Sequence, residues 1–328
     1  MKMGSKLARL ALALAALGVS ASAAMAQEWP SEKPVRVIVP FGAGTVLDSG
    51  VRIIADRLQA KYGQSFVVEN ITGASGTLGA AQAANSEPDG YTLLATSPGP
   101  AANAANIFPD LPYDPKTAFS QIMQMWQSSA ALVAGPSAPA SDIAGLIEYA
   151  KANPRTISAG HAGPGSYGQM LLLAFAESAG IEINFVPYSN STPGILADLL
   201  AGNIQLAGDV TGGYLANAAE GKVNIMAVLT PERVPFLPDT PTLVEQGVDL
   251  SSTTWTGLQG PAGMDPALIA QINADVTEVL LNDPDLKRVL DNGAAFARPT
   301  SPEEFAQIVV AEEAMWRPII EKYNVRVQ

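Results

Sequence analysis

Short aliphatic and β-branched runs alternate, after Gln27, with longer runs whose apolar positions recur every three or four residues. "VRVIVPF" predicts a buried strand, and "VLDSGVRIIADRLQAKYG" sets Leu47, Val51, Ile54 and Leu58 at helical spacing, with Gly63 as the stop. "SFVVEN" predicts a second strand, "GTLGAAQAANS" a small-residue helix and "YTLLATS" a third strand. This βαβα order predicts a largely parallel sheet with helices on its faces.

A second set of the same kind follows. "AALVAGPS" reads as a strand, "SDIAGLIEYAKANP" as a helix capped by Ser141 and ended before Pro154, and "TISAG" as a strand leading into the helical "HAGPGSYGQMLLLAFAESAG". "EINFVPYS" and "STPGILADLLAGN" repeat the pattern, Pro193 suiting a first helical turn and Gly202 a stop, and "IQLAGDV" and "VNIMAVLT" complete the set. Two long helices are expected in the tail, one from Asp265-Pro266 and one from the capping box Ser301-Pro302-Glu303-Glu304. The Pro/Gly-rich stretches 134–141 and 230–242 mark the edges of the second unit. The expected organisation is therefore two lobes: residues 27–130 and 230–328 form the first, and residues 131–229 are inserted as the second.

The first residues stand apart. "MKMGSKLARL" carries Lys2, Lys6 and Arg9, an uncharged apolar run follows, and Ala24-Met25-Ala26 offers a small-residue cleavage site, the pattern of a secretory signal peptide over residues 1–26. The run is too short for a membrane span. Removing it takes away three of the 19 basic residues, leaving 16 against 31 acidic ones and a net charge of −15. Such a surface suits neither nucleic acid nor anionic membranes, which are bound through clustered Lys and Arg. The chain has no cysteine and one histidine, so disulfides, thiolate metal sites and cysteine nucleophiles are excluded, and neither metal nor cofactor is expected.

Two glycine turns carry the candidate chemistry. In "PFGAGTVLD" the residues Gly42, Ala43 and Gly44 let backbone N–H groups approach a ligand at a helix N-terminus, where the helix dipole favours an anion. The turn is not a dinucleotide fingerprint, because Leu47 stands where a third glycine is required, and no Lys-Ser/Thr follows as in a P-loop. The same residues also suit a tight strand–helix turn without a ligand. "AGHAGPGSYGQM" places Gly163, Gly165 and Ser166 at an equivalent turn in the second lobe, with Ser166 as N-cap. Ligands bind at the carboxyl ends of parallel strands, so two such turns suggest a cleft with a helix N-terminus on each wall. Pro164 to Gly168 resembles a nucleophile elbow, but Pro164 replaces its first glycine and no histidine follows Ser166. Trp126, Trp255 and Trp316 read as core, with Trp255 able to line a cleft if its strand ends there.

The runs "PVRVIVPFGAGTVLD", "VVENITGASGTLGA", "PDGYTLL", "LPYDP", "GPGS", "VPYSNSTPGILADLLAGNIQL", "FLPDTPTLVEQG" and "WTGLQGPAG" resemble the extracytoplasmic substrate-binding proteins of tripartite tricarboxylate transporters, the Bug family. The resemblance covers nearly all of the chain after residue 26, in order. It implies an α/β, two-lobed periplasmic-binding-protein fold, type II-like, with two crossovers and a ligand cleft between the lobes. It also implies a periplasmic location, a small mono- or dicarboxylate ligand, and large and small membrane subunits as partners. Carried over by position, the first loop is Phe41, Gly42, Ala43, Gly44, Thr45, Val46 and Asp48, and the second is Gly163, Gly165 and Ser166. Tyr188 of "VPY", Asp209 after "IQLAG" and Ser97 at the end of the third strand fall where cleft residues fall.

The family usually reads close to "PFPAGGSTD" where this chain has "PFGAGTVLD", its frequent histidine after the second loop aligns with Gln169, and "VPYKG" becomes "VPYSN". These departures predict a bulkier, more apolar first-lobe wall at Thr45, Val46 and Leu47, suited to a carboxylate with an apolar or aromatic body. Asp48 is expected to orient loop N–H groups or a water, or to meet an ammonium or hydroxyl on the ligand, rather than meet a carboxylate directly. A carboxylate sensor docking on a two-component kinase, or a hydrolase using Ser166, would be the alternatives to a transport role.

Overall fold

The computed structural model describes residues 29–188 and 191–326; the expected signal peptide lies outside them. The chain forms two sheets. The first contains β1 (Val35–Val39), β2 (Phe66–Asn70), β3 (Thr92–Thr96), β4 (Phe119–Ser128), β10 (Thr254–Pro261) and β11 (Ala295–Ala297), in the order β11-β4-β10-β3-β1-β2. The second contains β5 (Ala130–Ala134), β6 (Ser158–His161), β7 (Asn184–Pro187), β8 (Leu206–Val210) and β9 (Asn224–Val228), in the order β7-β6-β8-β5-β9.

Each sheet has a parallel part, β2-β1-β3 in the first and β7-β6-β8 in the second, as the βαβ order predicts. The other pairings, β10 with β3 and β4, β11 with β4, and β5 with β8 and β9, are antiparallel. The reason lies in the crossovers: β4 carries the chain toward the second lobe and β10 brings it back, so the two lie side by side in opposite senses. Strand β4 has no clear signature in the sequence, because Gln121, Gln124 and Gln127 interrupt its alternation while Ile122, Met123, Met125 and Trp126 are all buried.

Helix α1 (Val46–Tyr62) buries Leu47, Val51, Ile54 and Leu58 against the first sheet and ends at Gly63, whose φ of 67° places it in the left-handed region that favours glycine. Helix α2 (Thr77–Ala84) and the short α3 (Ala104–Ile107) complete that half of the lobe. In the second lobe, α4 (Ile143–Ala152) is capped by Asp142, which accepts Gly145 N–H at 2.7 Å, one residue later than the Ser141 cap expected. Helices α5 (Tyr167–Ala179), α6 (Ser191–Ala201) and α7 (Leu215–Ala219) follow. The tail holds three helices rather than two. Pro284 has no N–H with which to continue α8 (Pro266–Asn282), so α9 (Pro284–Asn292) restarts with Asp283 as its N-cap. Ser301 caps α10 (Pro302–Lys322) by accepting Glu304 N–H at 3.1 Å.

Both crossovers and one helix tie the lobes together. Ser129, between β4 and β5, donates its N–H to Ala294 O in the first lobe and accepts Thr211 N–H from the second. On the return path, Leu243, Val248 and Leu250, which the sequence reading gives to the first lobe, share the core of the second sheet, and the chain re-enters the first sheet only after Ser252. Helix α10 spans both lobes. Phe305 and Val309 pack with Trp255, Ala101 and Ala102, while Trp316 and Ile320 join the core of the second sheet.

Between these two halves of α10 sits Glu312. Its carboxylate accepts the indole N–H groups of Trp255 at 3.1 Å and Trp316 at 2.6 Å, and Trp316 packs edge-on against Tyr167. Burial pushes its pKa up to about 7, more than the two indole bonds lower it. A carboxyl whose folded pKa lies above its unfolded one contributes stability that is full below the unfolded value, 4.5, and is lost as pH rises through about 7. Glu312→Gln is therefore expected to flatten the fall in melting temperature between pH 5 and pH 8. Parallel falls in both proteins would show that Glu312 does not titrate in that window.

Candidate functional site

The carboxyl ends of β1 and β3 in the first lobe, and of β6, β7 and β8 in the second, carry the residues singled out by the sequence. Parallel strands place their ligand-facing loops at these ends.

In the first loop, Thr45 is the N-cap of α1. Its hydroxyl accepts Asp48 N–H at 3.2 Å and donates to Gly42 O at 3.2 Å, so the side chain serves the turn itself. Gly44, at φ 83°, turns the chain so that its N–H reaches Asp48 Oδ2 at 2.9 Å. Asp48 is buried, and it also takes Arg52 Nε at 3.1 Å and Asn70 Nδ2 at 2.8 Å. The same Asn70 amide donates to Phe41 O at 3.0 Å. Burial pushes the Asp48 pKa up, but the Arg52, Gly44 and Asn70 bonds outweigh it and hold the carboxyl below the usual aspartate range. Asp48 is thus the internal brace of the loop. The N–H groups of Gly42 and Ala43 have no acceptor among the described residues, and both residues are exposed.

The apolar wall expected from Thr45, Val46 and Leu47 is reduced. Leu47 turns into the core of the first lobe and Val46 lies against Gly293, because the helix they open must bury that face. The second lobe supplies a comparable turn. Ser166 caps α5 by accepting Gln169 N–H at 3.2 Å, while Gln169 Oε1 accepts Gly165 N–H at 2.7 Å. Gly163 and Gly165 have φ of 100° and 74°, values that L side chains rarely adopt. His161 is buried, its Nδ1 lies 3.2 Å from Gly163 N, and burial lowers its pKa, so the ring is neutral at pH 7. No hydrogen bond joins Ser166 to a base among the described residues.

The remaining candidates lie at the carboxyl ends of β8, β7 and β3. Asp209 is buried at the end of β8 and accepts Thr192 Oγ1 at 2.7 Å, Tyr214 OH at 3.1 Å and Val210 N–H at 2.8 Å. It joins the start of α6 to the turn after β8, as Asp48 joins the parts of the first loop. Unlike Asp48 it has no ion-pair partner among the described residues, and burial raises its pKa despite those three bonds. Tyr188 is less open than its position suggests, because its hydroxyl donates to Asp198 Oδ2 at 2.6 Å. Ser97, half-buried, follows β3, and its carbonyl accepts Ala101 N–H at 3.2 Å.

Two features of the first-lobe wall were not identified from the sequence. Asn70 braces both Asp48 and Phe41, and the signal that marks it is a polar residue at the end of an otherwise apolar strand. The turn Gly73–Gly76 holds four successive residues at positive φ, including Ala74 at 44° and Ser75 at 55°, and Gly76 approaches Phe41 so closely that an added Cβ would lie 3.2 Å from its ring. A cavity of about 910 Å³ lies beside β11 between Phe236, Phe296 and Arg298. Among the described residues there is no group of three or more metal-ligating side chains, and no helix is long and apolar enough to cross a membrane.

With this geometry in place, comparison with known proteins is specific. Residues 51–325 match the family described as "Tripartite tricarboxylate transporter family receptor". Protein BugT of Bordetella pertussis is 28% identical over 100% of both chains. An R. palustris protein solved with adipate superposes with a TM-score of 0.81 at 30% identity, covering 92% of this chain and 100% of its own. MatC from Rhodopseudomonas palustris, solved with bound malate, gives a TM-score of 0.77 at 30% identity, covering 88% of this chain and 99% of its own. Family and fold are those of solute-binding proteins, and the chain belongs to the tripartite tricarboxylate transporter receptors of the Bug family.

Proposed function

We propose that this protein is an extracytoplasmic receptor that closes its two lobes on a small organic carboxylate and delivers it to the large and small membrane subunits of a tripartite tricarboxylate-type transporter. The observation that carries this reading is the pair of capped strand–helix turns, Gly42–Asp48 and Gly163–Gln169, one in each lobe at the carboxyl ends of parallel strands. The adipate and malate bound by structural relatives support the ligand class.

In this reading Gly42 and Ala43 give their N–H groups to a carboxylate at the dipole-positive end of α1, and Asp48 holds the loop in shape from behind. A second-lobe contact forms when a ligand oxygen replaces Gln169 Oε1 at Gly165 N–H, which frees the Gln169 amide to donate to the ligand. Hydrogen bonds to a charged group are worth about 1.5–3 kcal/mol each. A chain of net charge −12 offers a carboxylate no attractive field of its own, so these local donors must supply the affinity. Closure follows because the bound ligand touches both lobes only when they approach.

A thermal-shift screen of mono-, di- and tricarboxylates, aliphatic and aromatic, tests the reading. A ligand at 100 times its Kd adds about 2.7 kcal/mol of stability, a rise of several degrees. A protein stabilised by neutral solutes and by no carboxylate would not have the proposed function.

A further inference from the structure

Tyr167 is the first residue of α5, next to the N-cap Ser166 of the second-lobe turn. Its neighbour Gly168 lies so close to Gly208 O that a Cβ could not be accommodated there, which seats the turn on the second sheet. Tyr167 fastens the same turn to two further elements. Its hydroxyl donates to Ser252 Oγ at 2.8 Å, and Ser252 N–H donates to Leu229 O at 2.7 Å, on the return path between the lobes. Its ring stands edge-on against Trp316 of α10, with 5.9 Å between centroids and 87° between planes.

Trp316 is held in turn by Glu312, whose carboxylate takes one indole from each lobe. Trp316 belongs to the core of the second sheet and Trp255 to strand β10 of the first. The line Trp255–Glu312–Trp316–Tyr167 therefore runs from the first sheet to the residue beside Ser166 through side-chain contacts alone. No charged group faces Glu312 among the described residues. Tyr167 is the titratable side chain beside it, while β10, the return path and β4 offer Trp255, Ser252, Thr253 and Gln127 around a cavity of about 280 Å³. Glu313, next along the helix, turns instead to Arg317, Asn106 and Lys116. A carboxyl so placed has only the two indoles to stabilise its charge, and the cavity gives water a place to enter if the seam parts.

We infer that Glu312 and Tyr167 are positioning residues for ligand binding, which together hold the second-lobe turn at a fixed setting against the first lobe. Neither touches the ligand. This rests on the reading that the Gly163–Gln169 turn contacts a carboxylate, and deepens it by naming what aims that turn. Burial favours the neutral form of Glu312, so the seam is tightest with the proton on and loosens as the carboxylate ionises. Affinity then falls as pH rises through about 7.

Calorimetric Kd values of adipate and malate, with the carboxylate that stabilises wild type most in the thermal-shift screen as a third probe, test the inference on the intact protein. At about pH 6, Tyr167→Phe and Ser252→Ala are each expected to raise Kd about fivefold or more, and the double variant no more than either alone, since each removes the same bond. Wild-type Kd is expected to rise about threefold or more between about pH 6 and about pH 8, above the range in which ligand carboxylates ordinarily titrate, and Glu312→Gln to remove most of that rise. A residue serving stability alone would move the melting temperature and leave Kd and its pH profile where they were. Glu312→Met, also uncharged, replaces the glutamine variant if that does not fold. Kd values within about twofold of wild type in both hydroxyl variants, or additive losses in the double variant, would overturn the inference and leave the carboxylate reading intact. A wild-type profile that is flat, or that Glu312→Gln leaves unchanged, would do the same. Failure of wild type to bind any carboxylate in the screen would overturn both.

Discussion

Asp48→Ala is expected to weaken carboxylate binding by about ten- to hundredfold while leaving both lobes folded, with an estimated stability loss of about 2 kcal/mol. The carboxylate touches no ligand in the proposed arrangement. Its effect comes from three groups that it holds at once, Gly44 N–H, Arg52 and Asn70, which together set the path of the Gly42–Thr45 turn. Arg52 is 45% exposed, so solvent screens its share, and the loss falls mainly on the loop's geometry. Asp48→Asn keeps the shape but not the charge and should retain more affinity than the alanine variant. The pH dependence has a definite sign. Because the folded pKa is depressed, the carboxylate's contribution is present above the ordinary aspartate value and is lost only as pH falls through the lower folded one. Affinity measured from pH 7 down to pH 5 should therefore not decline on account of Asp48. Wild-type affinity in the alanine variant would leave the loop without a binding role.

Gly212→Val is the second substitution expected to have a large effect, a loss of at least about tenfold in affinity. Gly212 follows β8 in the second lobe, and a Cβ there would strike the backbone of Gly293 in the first. Gly293 in turn lies under Val46, so neither backbone can retreat into open space. This contact sits beside Ser129, whose hydrogen bonds to Ala294 and Thr211 link the lobes at the first crossover. A valine there separates the lobes at their junction without reaching either hydrophobic core. Titration calorimetry together with small-angle scattering checks the result. Weaker binding with a larger radius of gyration in the presence of ligand is expected, and wild-type values for both would show that the junction tolerates the wedge.

Much of the architecture was legible before any coordinates. The apolar positions of α1, the stop at Gly63, the cap at Ser166 and the parallel pairing of β1 to β3 all follow from spacing and from single residues with narrow conformational preferences. Strand β4 was not legible, because its glutamines satisfy no alternating pattern; Gln124 Nε2 donates to Arg298 O, a bond that only the folded tail provides. The boundary at residue 229 was read from proline and glycine content, which marks a loop but not the lobe it packs on. Leu243, Val248 and Leu250 carry that information, and they show it only when the second core is assembled around them.

The same distinction runs through the site. By itself, the sequence determined that two glycine turns precede two helices, one in each α/β unit, because a turn, a cap and a helix start depend on residues within four positions of one another. Only the tertiary structure decided which groups of those turns are left without an internal partner. Asp48 is braced by Asn70, 22 residues away, Glu312 is held by Trp255, 57 residues away, and the buried amide of Asn103 finds no partner among the described residues. Such pairings, and the lack of one, are set by how helices and strands pack, and local propensity carries no record of them.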